Sequence, residues 1–270
     1  MPLLSPSNPP ITHWAGMRVW IIGASSGIGA ETARLLAQRG ARVALSARRQ
    51  AALEALHAEL DASAREHALV LPLDVTDPAA VETVARHLQS HWQGLDLVLL
   101  AAGIYDALRA PAFDAAALPA ARAVLEVNLM GTYHVLAALV PRLTRQGRGG
   151  IAIISSVAGY SGLPGALAYA PSKAALNNLC EGLYFELRPL GLSVYRICPG
   201  FIATAMTAHV GFRMPALLSA QTAALEIVRG LERGEFDIHF PKSFTRFLKL
   251  LRCLPRRIYF ALLRLGTRQV

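Results

Sequence analysis

Seven short runs rich in Val, Ile and Leu punctuate the chain, at 18–23, 42–47, 69–73, 96–102, 150–156, 193–198 and 236–240. Between them, apolar residues recur at helical spacing in stretches that begin near Gly27, Gln50, Pro78, Leu118, Ala168 and Ala220. Short β-rich runs bounded by turn residues predict strands, and a repeat of about 3.6 residues predicts helices. Their alternation predicts an α/β fold: a doubly wound parallel sheet of about seven strands, helices on both faces and ligand at the carboxyl ends of the strands. One helix start is explicit, because Asp77 supplies a cap and Pro78 tolerates the first helical position. Past Ala168, the residues Leu176, Leu179, Cys180, Leu183 and Leu187 form one apolar stripe on a helix.

The pattern changes after Pro241. Phe244, Phe247, Leu248 and Leu251 fall at helical spacing opposite Arg246, Lys249 and Arg252; Pro255 breaks the run, and Ile258, Tyr259, Leu262, Leu263 and Leu265 resume it. Two short amphipathic helices are expected.

Two clusters carry candidate chemistry. Gly23-Ala24-Ser25-Ser26-Gly27-Ile28-Gly29 follows the run Val19-Trp20-Ile21-Ile22 and precedes a helical pattern. In that strand-loop-helix context the glycines let backbone approach a pyrophosphate, and the helix N-terminus offers free N–H groups to the anion. The second cluster is Tyr169 and Lys173, one helical turn apart, and Lys173 is the only lysine before Lys242. An ammonium has three rotatable donors, so it bonds sugar hydroxyls while its field lowers the pKa of a nearby phenol. The pair reads as an acid/base device.

With Ser156 thirteen residues before Tyr169, Asn128 in Asn128-Leu129-Met130-Gly131, and Pro199-Gly200-Phe201-Ile202-Ala203-Thr204, these motifs resemble the short-chain dehydrogenase/reductase family from about Arg18 to about Pro241. The resemblance implies a single Rossmann-like domain, a homodimer or homotetramer joined through the helix after Tyr169, although intrachain packing would produce the same stripe, and hydride exchange between a nicotinamide cofactor and a carbonyl or secondary alcohol. It implies Asn128, Ser156, Tyr169 and Lys173 as catalytic residues, Asn128 organising a water that links Lys173 to solvent. Cofactor contacts are implied at Gly23, Ser25, Ser26, Gly27, Ile28, Gly29, Asp74, Val75, Ala102, Gly103, Tyr169, Lys173, Pro199, Gly200, Ile202 and Thr204. Two positions depart from the family: Ile22 stands where threonine is common, and Leu100-Ala101-Ala102-Gly103 replaces an Asn-Asn-Ala-Gly stretch. A cofactor-sensing binding protein on the same fold is the alternative reading.

At the end of the second strand Ala47 is followed by Arg48 and Arg49. An acid there would accept ribose hydroxyls and repel a 2′-phosphate; two arginines point to NADP(H) rather than NAD(H), unless they only begin a solvated helix. Leu163, Phe201, Met206 and Phe212 are the candidate substrate residues, with Val210, His209 and Arg213 nearby, and their apolar character suits a lipid-like or cyclic carbonyl if it does not simply pack on the domain.

Composition bounds the rest. The chain has 270 residues, 53% of them hydrophobic, and a net charge of +9. Three cysteines without paired spacing suit a reducing compartment, and His87 and His91 lack a third metal ligand nearby. The proline-rich residues 1–16 read as a flexible arm rather than a signal peptide, residues 17–241 as the domain, and no stretch as a bilayer span. Eight of the 27 basic residues, and none of the 18 acidic ones, lie in 242–270. That extension suits an anionic membrane surface, or a cover for its own domain with solvated arginines; nucleic acid is not expected. A cytoplasmic protein, at the membrane surface in the first case, is implied.

Overall fold

The computed structural model describes residues 5–208 and 214–266. The elements follow as β1 (Arg18–Ile22), α1 (Gly27–Gln38), β2 (Arg42–Ser46), α2 (Gln50–Glu59), α3 (Ala62–Glu66), β3 (Leu69–Val70), α4 (Pro78–Trp92), β4 (Leu97–Leu100), α5 (Leu118–Leu125), α6 (Gly131–Gln146), β5 (Gly149–Ile154), α7 (Tyr169–Leu187), β6 (Leu192–Pro199), β7 (Ile202–Ala203), β8 (Leu218–Ser219), α8 (Ala220–Glu232), β9 (Asp237–Phe240), α9 (Lys242–Arg252) and α10 (Arg256–Gly266). Seven strands form one parallel sheet in the order β3-β2-β1-β4-β5-β6-β9. The strand order reverses between β1 and β4, where such sheets open a crevice at their carboxyl ends.

Two apolar layers hold the sheet. Leu36 of α1, Leu53 of α2 and Ile227 of α8 pack on one face with Ile21 and Leu99. Leu88 of α4, Leu139 of α6 and Leu176 of α7 pack on the other with Trp20 and Val98. Each of these side chains is almost wholly buried, worth roughly 1.5–3 kcal/mol apiece in transfer from water. The stripe on α7 is therefore intrachain core: Leu176, Cys180 and Leu187 are buried there, with Leu179 and Leu183 packed beside them. Asp77 caps α4 by accepting from the Ala79 and Ala80 amides at 2.9 and 3.1 Å, with Pro78 at the first helical position.

Three expectations need correction. The arm at 1–16 is fastened over its described part. The Asn8 amide donates to Val194 O at 2.9 Å and accepts from Val194 N at 3.2 Å, Ser7 O accepts from Tyr184 and Arg188, and Trp14 is buried with its indole N–H on Glu232. Val194 precedes the residues of β6 that pair with β9, so the Asn8 side chain takes the place of a neighbouring strand there. Second, a π turn at Glu126–Met130 joins α5 and α6 into one helix, Leu118–Gln146, which by length and composition alone would cross a bilayer; its inner residues, Leu139 and Leu143 among them, sit in the sheet core.

Third, α9 meets the domain on a different face from the one its periodicity suggests. Thr245 is fully buried, Phe244 and Leu248 pack on Val157, Tyr160 and Cys198, and Lys249 turns inward to pair with Asp237. Phe247 is left exposed. A lysine placed beside a partly buried carboxylate on a neighbouring strand goes to it, a pairing that periodicity within one helix cannot reveal.

Candidate active site

A cleft of about 470 Å³ opens at the carboxyl ends of β1 to β6. Its floor is the loop between β1 and α1, where glycine is required twice. A Cβ on Gly23 would stand 2.5 Å from the Ala102 nitrogen at a φ of +96°, and one on Gly29 would stand 2.2 Å from Gly23 O. The departures from the family pattern are absorbed by packing: Ile22 is buried in one apolar layer and Ala101 rests on the other. Ser26 caps α1 without a side-chain hydrogen bond, so the first amides of a 12-residue helix face the cleft without a side-chain acceptor. Free amides at a helix start attract negative charge.

The rim beside this loop is basic. Arg48 and Arg49 both line the cleft, and Arg49 reaches back across the glycine loop to donate to Ser25 Oγ at 3.2 Å. Asp74 follows β3 and accepts from the Thr76 amide and hydroxyl at 2.9 and 2.8 Å. Those bonds, the amide first, together with the field of Arg48, hold its carboxyl below the usual range against the cost of burial.

At the other end stand the groups expected to carry chemistry. The 3-10 turn after β5 starts at Ser156, whose Oγ accepts from the Ala158 amide at 3.1 Å. Tyr169 and Lys173 lie on the first turns of α7. Lys173 is buried and donates to Ile154 O at 2.9 Å; its Nζ is 5.6 Å from the centroid of the Tyr169 ring. Burial pushes Lys173 down to about 8. Burial also pushes Tyr169 up to about 12, against the opposing bond to Ser156. The expectation of a phenol acidified by its lysine is thus not met in the chain by itself, because desolvation outweighs the bond to Ser156.

Asn128 sits in the π turn, which brings it inward until it is buried. Its Oδ1 accepts from Ile104 N at 2.8 Å, while its Nδ2 donates to Ile104 O at 3.0 Å and to Ser172 Oγ at 3.2 Å. Both ends of the amide thus hold the turn after β4, and its Nδ2 ties that turn to α7. Gly103 passes so close beneath that a Cβ there would be 3.2 Å from Asn128 Oδ1 and 3.6 Å from Lys173 Nζ.

The cleft wall contains every glycine-loop residue expected of it, together with Arg48, Asp74, Val75, Ala102, Gly103, Ser156, Tyr169, Lys173, Pro199, Gly200, Ile202 and Thr204. Of the substrate residues, Met206 lines it. Leu163 packs on Ala158, Ala166 and Ala170, the cluster that also takes Tyr105 and Tyr169, and Phe201 sets its ring 6.0 Å from that of Phe244 on α9. Phe212, with His209, Val210 and Arg213, lies outside the described residues. Two residues that the sequence indicated only in passing gain definite contacts: Arg49, the second of the arginine pair, on Ser25, and Tyr105, in the segment after β4, whose ring stands against Tyr169 and whose hydroxyl donates to Gly165 O at 3.1 Å.

A glycine-floored helix start and a serine-tyrosine-lysine group share one crevice at the carboxyl ends of a parallel sheet. The chain belongs to the short-chain dehydrogenase family, whose model matches residues 17–213, and it is an oxidoreductase of that family. It is 35% identical over 245 residues to an uncharacterized oxidoreductase of Myxococcus xanthus, covering 89% of this chain and 94% of that one. An uncharacterized oxidoreductase of Mycobacterium tuberculosis is 34% identical over 251 residues, covering 92% of this chain and 98% of its own. Among solved structures, a short chain dehydrogenase from Burkholderia cenocepacia in complex with NADP superposes with a TM-score of 0.79 at 25% identity, over 93% of this chain and 99% of that one.

Proposed function

We propose that the protein is an NADP(H)-dependent oxidoreductase that interconverts a hydrophobic carbonyl compound and its secondary alcohol, with Tyr169 as general acid and base. The observation that carries this reading is the convergence of Ser156, Tyr169 and Lys173 in one cleft with the uncapped start of α1. The residues fit the cofactor. The α1 amides and the Gly23 to Gly29 backbone would hold its pyrophosphate, Asp74 and Val75 its adenosine end, and Arg48, Arg49 and Ser25 its 2′-phosphate. Lys173 would bond its ribose, and Pro199 to Thr204 would hold its nicotinamide. The NADP in the Burkholderia structure supports the same choice.

Bound there, the cofactor supplies or accepts the hydride. The chain's own residues handle the oxygen. Ser156 Oγ accepts from Ala158, which leaves its proton to give to the substrate oxygen and to hold that oxygen as charge builds. Tyr169 donates its proton to the developing alkoxide in reduction and takes it back in oxidation. Burial keeps that phenol protonated at neutral pH, and while Lys173 is charged its ammonium, 5.6 Å from the ring centroid, favours the phenolate that oxidation requires. Asn128 acts as a positioning residue, holding Ile104 against α7; a water relay at Lys173 would draw on the lone pair left on its Oδ1. Ile104, Tyr105 and Met206 give the reacting end an apolar wall. The exposed Met130 and Tyr133 around α6 and Phe185 on α7 support a homodimer or homotetramer.

Oxidation of NADPH in the presence of long-chain and cyclic ketones, followed at 340 nm by its own absorbance, tests the activity. Turnover is expected with at least one ketone and lost in Tyr169→Phe, while NADPH still raises the variant's melting temperature. Near-normal turnover in Tyr169→Phe would remove Tyr169 from its role.

A further inference from the structure

The C-terminal helices divide their cations by type. On the inner face of α9, Lys242 pairs with Glu235 at 2.9 Å and Lys249 pairs with Asp237, while the buried Thr245 hydroxyl meets His239 Nδ1 at 2.6 Å. Phe244 and Leu248 close over Val157, Tyr160 and Cys198, so α9 is fixed to the segment that follows Ser156. Both lysines are thereby neutralised. The arginines are not: Arg246, Arg252, Arg256, Arg257 and Arg264 are all exposed, and none makes an ion pair among the described residues. No acidic residue follows Asp237.

Large apolar side chains stand out among these arginines. Phe247 is 55% exposed and Leu250 69%, both on the outward side of α9, and Ile258, Phe260 and Leu262 of α10 are exposed as well. In α10 Tyr259 is buried and Leu263 half-buried, which leaves most of that helix facing solvent. Single exposed hydrophobics are ordinary on a protein surface, but a group interleaved with unpaired guanidiniums and free of carboxylates is not.

We propose that this outward surface of α9 and α10 docks on an anionic lipid bilayer, Phe247 and Leu250 of α9 with Ile258 and Leu262 of α10 entering the boundary below the headgroups and the arginines bonding headgroup anions. Charge complementarity selects this occupant. A second copy of the chain would bring a like-charged surface against this one, whereas an anionic leaflet presents the opposite charge over the whole span. The docking rests on no catalytic assignment. Removing the extension at Pro241 is a poor test, since it would also uncover Val157, Tyr160 and Cys198; outward side chains are the ones to change.

The experiment is co-sedimentation of the full chain with vesicles of equimolar phosphatidylglycerol and phosphatidylcholine, and with vesicles of phosphatidylcholine alone. The wild type is expected to pellet with the anionic vesicles and at least about tenfold less with the neutral ones. Phe247→Ser with Leu250→Ser, and separately Arg256→Gln with Arg257→Gln, should each weaken binding to anionic vesicles about tenfold or more. Leu190→Ser, which changes an exposed leucine elsewhere, should leave it unaltered. An unchanged far-UV circular dichroism spectrum and melting temperature report that each variant is folded; if the serine pair is not, the arginine pair decides. Absence of the wild type from the anionic pellet, equal binding to neutral vesicles, or wild-type binding by the folded outward variants overturns the proposal. So does self-association, abolished by the serine pair, in a chain that ignores vesicles.

Discussion

The ring of Tyr105 stands edge-on to that of Tyr169, with centroids 5.3 Å apart and planes at 88°. An edge-to-face pair is worth about 0.5–1.5 kcal/mol beyond its buried area, and here it sets the orientation of the proposed proton donor. Tyr105→Ala should lower kcat/KM about 10- to 100-fold, since a small misplacement of a reacting group costs on that order. Tyr105→Phe keeps the ring contact, loses only the bond to Gly165 O, and should cost a few-fold at most. Equal losses in both would assign the effect to that hydrogen bond instead.

Lys173 and Tyr169 predict opposite pH responses for the two reaction directions. Reduction needs Tyr169 protonated and Lys173 charged, so its kcat/KM should be level below pH 8 and fall above it as Lys173, depressed to about 8, loses its proton. Oxidation needs the phenolate and should rise with pH toward the value of about 12 that burial imposes on Tyr169. A reductive profile that climbs through pH 8 to 10 would contradict this assignment.

The same lysine weakens the folded state. Its folded pKa lies below its unfolded one, so between about pH 8 and 10.5 the unfolded chain holds a proton that the folded chain has released, and stability rises with pH across that window. Below the window the full cost of burying the ammonium is present. Lys173→Met should therefore abolish activity yet raise stability at pH 7 by roughly 1–3 kcal/mol, read from urea unfolding.

For cofactor choice, Arg48→Ala with Arg49→Ala should raise the Kd for NADPH about 10- to 100-fold, the loss expected when charge-assisted bonds to a phosphate disappear. The Kd for NADH should change little. Calorimetric titration of both cofactors checks this, and parallel losses would mean that the arginines serve the loop rather than the phosphate.

Asn8 offers a test of the N-terminal segment. Its amide satisfies both the N–H and the C=O of Val194, and Asn8→Ala would leave two buried backbone groups without partners. A loss of about 2–4 kcal/mol is expected in urea unfolding. The kcat should be unaltered, because Val194 lies near the start of β6 and the cleft is at its other end.

Much of this protein was legible in its sequence. Strand and helix periodicity is a local property, and the seven sheet strands lie where the Val- and Ile-rich runs stand, with Asp77 and Pro78 marking a helix start to the residue. The glycine loop and the Tyr169 and Lys173 pair are equally local, since each sits within one turn of chain. Not every helix was visible, however. The π turn at Glu126–Met130 hides the junction of α5 and α6, because one added residue rotates the apolar stripe and interrupts its repeat.

Contacts between distant segments were decided by tertiary structure alone. Asn8 finds Val194 across 186 residues, Tyr105 meets Tyr169, Phe201 turns from the cleft to Phe244, and Lys249 turns inward to Asp237. The pKa values of Tyr169 and Lys173 belong to the same class. Residue identity and spacing determine which charges sit near each other along a helix, but desolvation depends on everything packed around them, and only the folded chain sets how much water is excluded.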